Sequence, residues 1–110
     1  MQELVDSGLE YHPGEPVVVR VVRRGLRVEL SDQGRAIELA GKPAGWWEPL
    51  ERLVREEYWL NLSRRGEVFV PFFDGGGRCD ELVERVAKAS LAVYQELLDL
   101  EIGRTPLGAR

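Results

Sequence analysis

The run from Asp80 to Ile102 contains neither proline nor glycine and repeats its apolar residues with helical spacing, so it predicts one long helix. The rest of the chain is then read as what that helix packs against. At about 100° per residue, Leu82, Val83, Val86, Ala87, Ser90, Leu91, Val93, Tyr94, Leu97, Leu98 and Leu100 fall in one arc of about 180°. Glu81, Glu84, Arg85, Lys88, Gln95 and Asp99 lie opposite. A helix on the surface of a domain usually buries a stripe of about 100°. This wider face calls for two embracing elements or for a second copy of the chain.

Two hairpins are legible upstream. Val17, Val19 and Val21 alternate on one strand and Leu26, Val28 and Leu30 on the next, within Pro16 to Ser31. Matching their core faces requires a loop of even length, and Arg24-Gly25 is the predicted turn, setting Val21 opposite Val28, Val19 opposite Leu30 and Arg20 opposite Glu29. In the second hairpin, Trp59 to Phe73, Leu60 and Leu62 must face the same way as Val68, Val70 and Phe72. That demands an odd loop, and Arg64-Arg65-Gly66 supplies it, with glycine where a left-handed residue is needed. Pro71 has no N–H and places its strand at a sheet edge or strand end.

Between the hairpins, Ser31-Asp32-Gln33-Gly34 has the composition of a tight turn. Arg35 to Leu39 is expected as a third strand, with a helical turn as the alternative, and Gly41 to Gly45 is a loop. Trp46 to Tyr58 is a predicted helix whose apolar side holds Trp46, Trp47, Leu50, Leu53, Val54 and Tyr58, with Pro49 tolerated in the first turn. Gln2 to Ser7 is expected to form a short helix ended by Gly8, and Tyr11 to Pro16 a linking loop. Asp74 to Arg78 is a glycine-rich connection, and Asp80 the expected N-cap of the last helix. The expected fold is therefore α+β, in the order helix, three strands, helix, two strands, helix, with the helices mainly on one face of an antiparallel sheet. Residues 1–102 form one domain and 103–110 a tail. The predicted core holds Val19, Val21, Val28, Leu30, Leu50, Leu53, Leu60, Val68, Val70, Val86, Val93 and Leu97.

Composition narrows the chemistry. The 110 residues include one cysteine and one histidine, and no apolar run is long enough to cross a bilayer. With no signal-peptide pattern at the N-terminus, a cytoplasmic location is expected. His12 has no local partner, and Cys79 reads as small semi-buried packing rather than a reactive thiol. No catalytic residue, metal ligand or cofactor is predicted. The net charge of −4 argues against nucleic acid. Arg23-Arg24-Gly25 and Arg64-Arg65-Gly66 at the two hairpin tips nonetheless offer an alternative reading as an anion-binding patch. Asp74-Gly75-Gly76-Gly77-Arg78 has the place of a phosphate cradle but not the residues of one, and reads as a connector.

Two resemblances accompany this reading. The hairpin ending in Leu30-Ser31-Asp32-Gln33-Gly34 resembles that of small bacterial domains of unknown function, in which a hairpin runs into Leu-Ser/Thr-Asp-x-Gly; it implies no activity. The expected element order and acidity are similar to those of the homodimeric chaperones of type III secretion and related regulatory folds. The leading expectation is a non-enzymatic, homodimeric protein-interaction module, chaperone-like or regulatory, with a protein partner. Its contact surface is either the sheet face bearing Trp59 and Phe69 or the helix flank bearing Leu91, Tyr94 and Leu98.

Overall fold

A computed structural model describes residues 2–74 and 79–103, the last three by their backbone alone. Of the expected connection, Asp74 to Arg78, and the expected tail, 103–110, residues 75–78 and 104–110 lie outside the described residues, and Gly103 belongs to the last helix. The elements are β1 (Gln2–His12), β2 (Glu15–Arg24), β3 (Arg27–Ser31), α1 (Arg35–Ala40), α2 (Trp47–Tyr58), β4 (Asn61–Leu62), β5 (Val68–Phe73) and α3 (Cys79–Gly103). All strand pairs are antiparallel, in the order β1-β2-β3-β5-β4. The three helices lie against one face of this sheet, as expected for the class, and among the described residues the other face is bare.

Two elements differ from the expectation. Gln2 to Ser7 belongs to a strand, because Val5, Ser7, Leu9 and Tyr11 alternate toward the helices with the period of two that strands require. Gly8, expected to end a helix, has φ +84° and sits where the register with β2 shifts. The linking loop shrinks to Pro13-Gly14, since His12 already pairs with Glu15. Arg35 to Leu39 is the helical alternative: Gln33 and Gly34 are both left-handed, at φ 61° and 70°, and turn the chain out of the sheet so that α1 buries Ala36 and Ile37. The observed order begins with three strands followed by two helices. The similarity to secretion chaperones rested on the other order and so has no support here.

Registers follow from glycine placement. In the first hairpin Arg24 pairs with Arg27 and Val21 with Leu30, so the turn is Gly25-Leu26. Gly25, at φ +64°, takes the first central position, where a type II′ turn needs glycine; the expected turn would have forced Arg24 into the left-handed region. The slip is two residues in pairing, so each side chain keeps its face. Arg20 consequently stands opposite Ser31 rather than Glu29, and its ion pair is with Glu67 at 3.8 Å. The second hairpin has the expected odd loop, closed by Ser63 N–H to Glu67 C=O at 2.9 Å, with Gly66 at φ +93°.

Gly66 is also a close approach: a Cβ there would fall 2.3 Å from Cγ1 of buried Ile37. Gly66→Ala is expected to cost about 2–4 kcal/mol from strain and overpacking together. Urea denaturation reads this, and Arg65→Ala, its exposed neighbour, should shift stability by less than about 0.5 kcal/mol.

Pro71 sits where it loses no ladder bond. The Phe69 carbonyl accepts from the Asn61 side chain at 3.3 Å on the β4 side, whereas Val68 bonds Asp32 on the β3 side. Alternation then aims the Pro71 nitrogen at the β4 side, which the two-residue β4 leaves open.

The broad face of α3 is covered within the chain. β1, β2, β3 and β5 of the sheet pack against it, and so do α1 and α2. Val83, Val86, Ala87, Ala89, Ser90, Val93, Tyr94 and Leu97 are buried. Of the expected core, all are buried except Leu53 and Val70, which pack partly buried at its margin. Asp80 lies inside the first turn of α3 with Glu81, one residue past the start.

Candidate interaction surface

The bare face of the sheet is built by alternation: Gln2, Leu4 and Asp6 of β1, Val18, Arg20, Val22 and Arg24 of β2, Arg27, Glu29 and Ser31 of β3, and Phe69, Pro71 and Phe73 of β5. The register aligns Leu4, Arg20, Ser31, Phe69 and Asn61 in one row across all five strands. Leu4 is 60% exposed and Phe73 79%. Val18, Val22 and Phe69 are half-buried. A polar seam holds the middle: the Ser31 hydroxyl donates to Glu67, which pairs with Arg20, and accepts from the Gln33 N–H at 2.8 Å.

Trp59 closes the margin beside β4, and its backbone is unusual. It is the residue on which α2 ends, left-handed at φ 59° and ψ 40°. Its N–H meets the Arg55 carbonyl and the Leu60 N–H meets that of Val54, both at 3.2 Å. Helices with this closure commonly end on glycine, because a side chain in that conformation costs about 1–2 kcal/mol. Here the position carries a tryptophan that is 79% exposed. Its ring therefore contributes little packing to offset the strain.

The second expected surface is not one patch. Tyr94 is buried against Tyr11, ring centroids 5.4 Å apart, and Leu91 is half-buried; Leu98 alone of the three is exposed, at 37%. The arginine tips are also apart. Arg27 pairs with Phe73 at one end of β5, while the Arg64-Arg65 loop lies beyond Val68 at the other. The length of β5 alone separates them by roughly 17 Å. Arg23 pairs with Asp74 at 3.1 Å, and the Arg64 guanidinium lies 3.9 Å over the Trp47 ring.

One polar cluster went unread in the sequence. Asp32, expected only to shape a turn, is buried: Oδ1 accepts the N–H groups of Gly34 and Val68 at 2.8 and 2.9 Å, and Oδ2 the Ser90 hydroxyl at 2.5 Å. Because Ser90 donates its hydrogen to Asp32, it must accept from the Tyr11 hydroxyl at 2.6 Å. Burial raises the Tyr11 phenol, which keeps that proton. Burial likewise lifts the Asp32 carboxyl from 3.8 to about 6, against the hydrogen bonds that pull it down. The only signal was Ser90 within the apolar arc of α3. The cluster ties β1, the turn after β3, β5 and α3 together, but no group in it is exposed to a substrate.

Burial raises the Cys79 thiol as well, which suits packing rather than reactivity. Among the described residues, no three His, Cys, Asp or Glu side chains converge to hold a metal ion, and no helix is long and apolar enough to cross a membrane. Comparison with protein-family models, with curated proteins and with solved structures gives no match.

Proposed function

We propose that the chain is a non-enzymatic protein-interaction module that pairs with a second copy of itself through the bare face of its sheet. The observation that carries the reading is Trp59: a strained backbone at a helix end where glycine is favoured, two residues before β4, bearing an aromatic ring held out to solvent. Large apolar side chains gathered on one face mark contact surfaces, and aromatic residues are enriched in interface cores. A two-fold contact lets the same patch serve both partners and closes on itself. The face, with Leu4 and Trp59 at its margins, is of a size to bury on the order of 1,200 Å² with a second copy. The arginine-tip alternative gains nothing from two tips at opposite ends of β5.

Light scattering after size exclusion tests this. The mass should be that of two 12.5 kDa chains at micromolar concentration. Trp59→Gly should separate two effects of opposite sign. The variant chain gains about 1 kcal/mol of intrinsic stability by relieving the left-handed strain. Its dimer dissociates at least tenfold more readily. A single-chain mass for the wild type, or an unweakened dimer in a Trp59→Gly, Phe69→Ser variant, would overturn the reading.

A further inference from the structure

The bare face of the sheet carries opposite charge at its two ends. At the turn between β2 and β3, Arg24 stands directly opposite Arg27, with Phe73 next in the row. Both arginines are exposed, and among the described residues neither forms an ion pair. Like charges facing each other across a strand pair repel. Back along β2, the row at Val18 holds Asp6. The Glu67 carboxylate lies at the same end of this face, held by the Ser31 hydroxyl and by Arg20. Asp6 accepts the Gly8 N–H through Oδ1 at 2.9 Å and forms no ion pair among the described residues. From Arg24 to Val18 the strand runs about 20 Å. That exceeds the screening length of about 8 Å at physiological salt, so neither end neutralises the other within one chain.

Two groups between these ends are incomplete. Glu29 shares the face with Arg27 and has no ion pair among the described residues. The Arg20 Nε is buried without a hydrogen-bond partner, and its guanidinium reaches Glu67 only through Nη2, at 3.8 Å. A hollow of about 160 Å³ lies over Val22, between Arg20, Glu29 and the arginine pair.

We propose that two copies stack these faces end to opposite end, about a two-fold axis that lies between the sheets and runs across the strands. This rests on the bare face being the contact, and adds the orientation that its charges select. An axis running along the strands would set the arginine pair of one copy on that of the other, four guanidiniums together, with the carboxylates gathered at the far end. An axis running across them sets each cationic end on an acidic one, and symmetry makes the contact twice. Centred between the rows of Arg20 and Val22, it brings Asp6 of the second copy beside Arg24, and Glu67 of the second copy beside Arg27. Glu29 of the second copy then lies over Ser31, one strand from the unpartnered Arg20 Nε. The sheets pack aligned, within the roughly 30° that their twist imposes. The charges thereby fix how the copies meet, while the apolar side chains of the face supply the buried area.

A charge-reversal cycle tests the orientation, with the dimer constant read by analytical ultracentrifugation and folding checked by circular dichroism. Arg24→Glu should weaken the dimer at least about fivefold, because glutamate then meets Asp6 of the other copy, and Asp6→Lys should weaken it as much. The variant carrying both changes pairs glutamate with lysine across the axis and should return to within about twofold of the wild type. Stacking of like ends predicts the reverse for Arg24→Glu, which would relieve a cluster of guanidiniums and tighten the dimer. An Arg24→Glu dimer as tight as the wild type or tighter, or a double variant no tighter than the single ones, would overturn the orientation. If Trp59→Gly, Phe69→Ser still dissociates the dimer in that case, the face remains the contact. A single-chain mass for the wild type would overturn the contact itself, and the orientation with it.

Discussion

Asp32→Leu is expected to lose about 4 kcal/mol or more of stability, and Asp32→Asn about half of that or less at pH 7. Leucine would strand three buried donors, the Val68 and Gly34 N–H groups and the Ser90 hydroxyl. Each stranded donor costs about 1–3 kcal/mol, against a total for a domain of about 5–15. Asparagine keeps both N–H partners on Oδ1. Its Nδ2 then donates to Ser90, which can turn its own hydrogen to the Tyr11 oxygen, and the Tyr11 hydrogen gives up its acceptor in the exchange. Urea unfolding followed by circular dichroism measures both variants. A leucine variant within 1 kcal/mol of the wild type would mean that the cluster is not what joins these elements.

The same residue gives the protein a signature in pH. Burial holds the folded Asp32 carboxyl at about 6, above its ordinary 3.8, with the Ser90, Gly34 and Val68 bonds opposing. On acidification the folded state takes up this proton before the unfolded chain does. The contribution is therefore present in full below about 3.8 and lost as pH rises through about 6. It is worth about 3 kcal/mol, at about 1.4 kcal/mol per pH unit. The stability of the wild type relative to Asp32→Asn should rise by about 2.4 kcal/mol, most of that amount, between pH 7 and pH 4, and a flat difference would contradict the burial.

Local rules were legible where they acted alone. The odd loop at Arg64-Arg65-Gly66 followed from face matching, and the inward faces of β2 and β3 survived a wrong turn because the slip was two residues. The errors came where two rules competed. Gly8 reads equally as a helix end or a bulge, and only the pairing of β1 with β2 chooses. The weak alternation of Arg35 to Leu39 lost to the left-handed pair Gln33-Gly34, whose effect depends on tertiary context. Asp32 satisfies the turn rule locally, and its reach to Ser90, 58 residues away, has no local sign. Trp59 was singled out, but its strain could not be seen until the helix end was placed. The width of the α3 arc called for two embracing elements or a second copy, and α1, α2 and the sheet supply that cover. Of the two contact surfaces read from the sequence, the sheet face is the one on which the case for pairing now rests.

The sharpest test of that bare sheet uses two neighbours on one strand. Val19 is buried among Val17, Val21 and Val5, whereas Val18 is half-buried on the open face, opposite Asp6. Val19→Lys puts an amine where nothing can pair with it, at a cost of several kcal/mol whether it stays charged or gives up its proton. Such a chain should show no cooperative thermal transition. Val18→Lys faces a carboxylate across the strand pair, a contact worth a few tenths of a kcal/mol, and should melt close to the wild type. Two copies brought face to face would bury that amine in their shared core, so Val18→Lys should be a folded monomer by light scattering. A cooperative melt for Val19→Lys would contradict the inward face of β2. A dimer that tolerates lysine at Val18 would remove the bare face as the contact while leaving the fold as described.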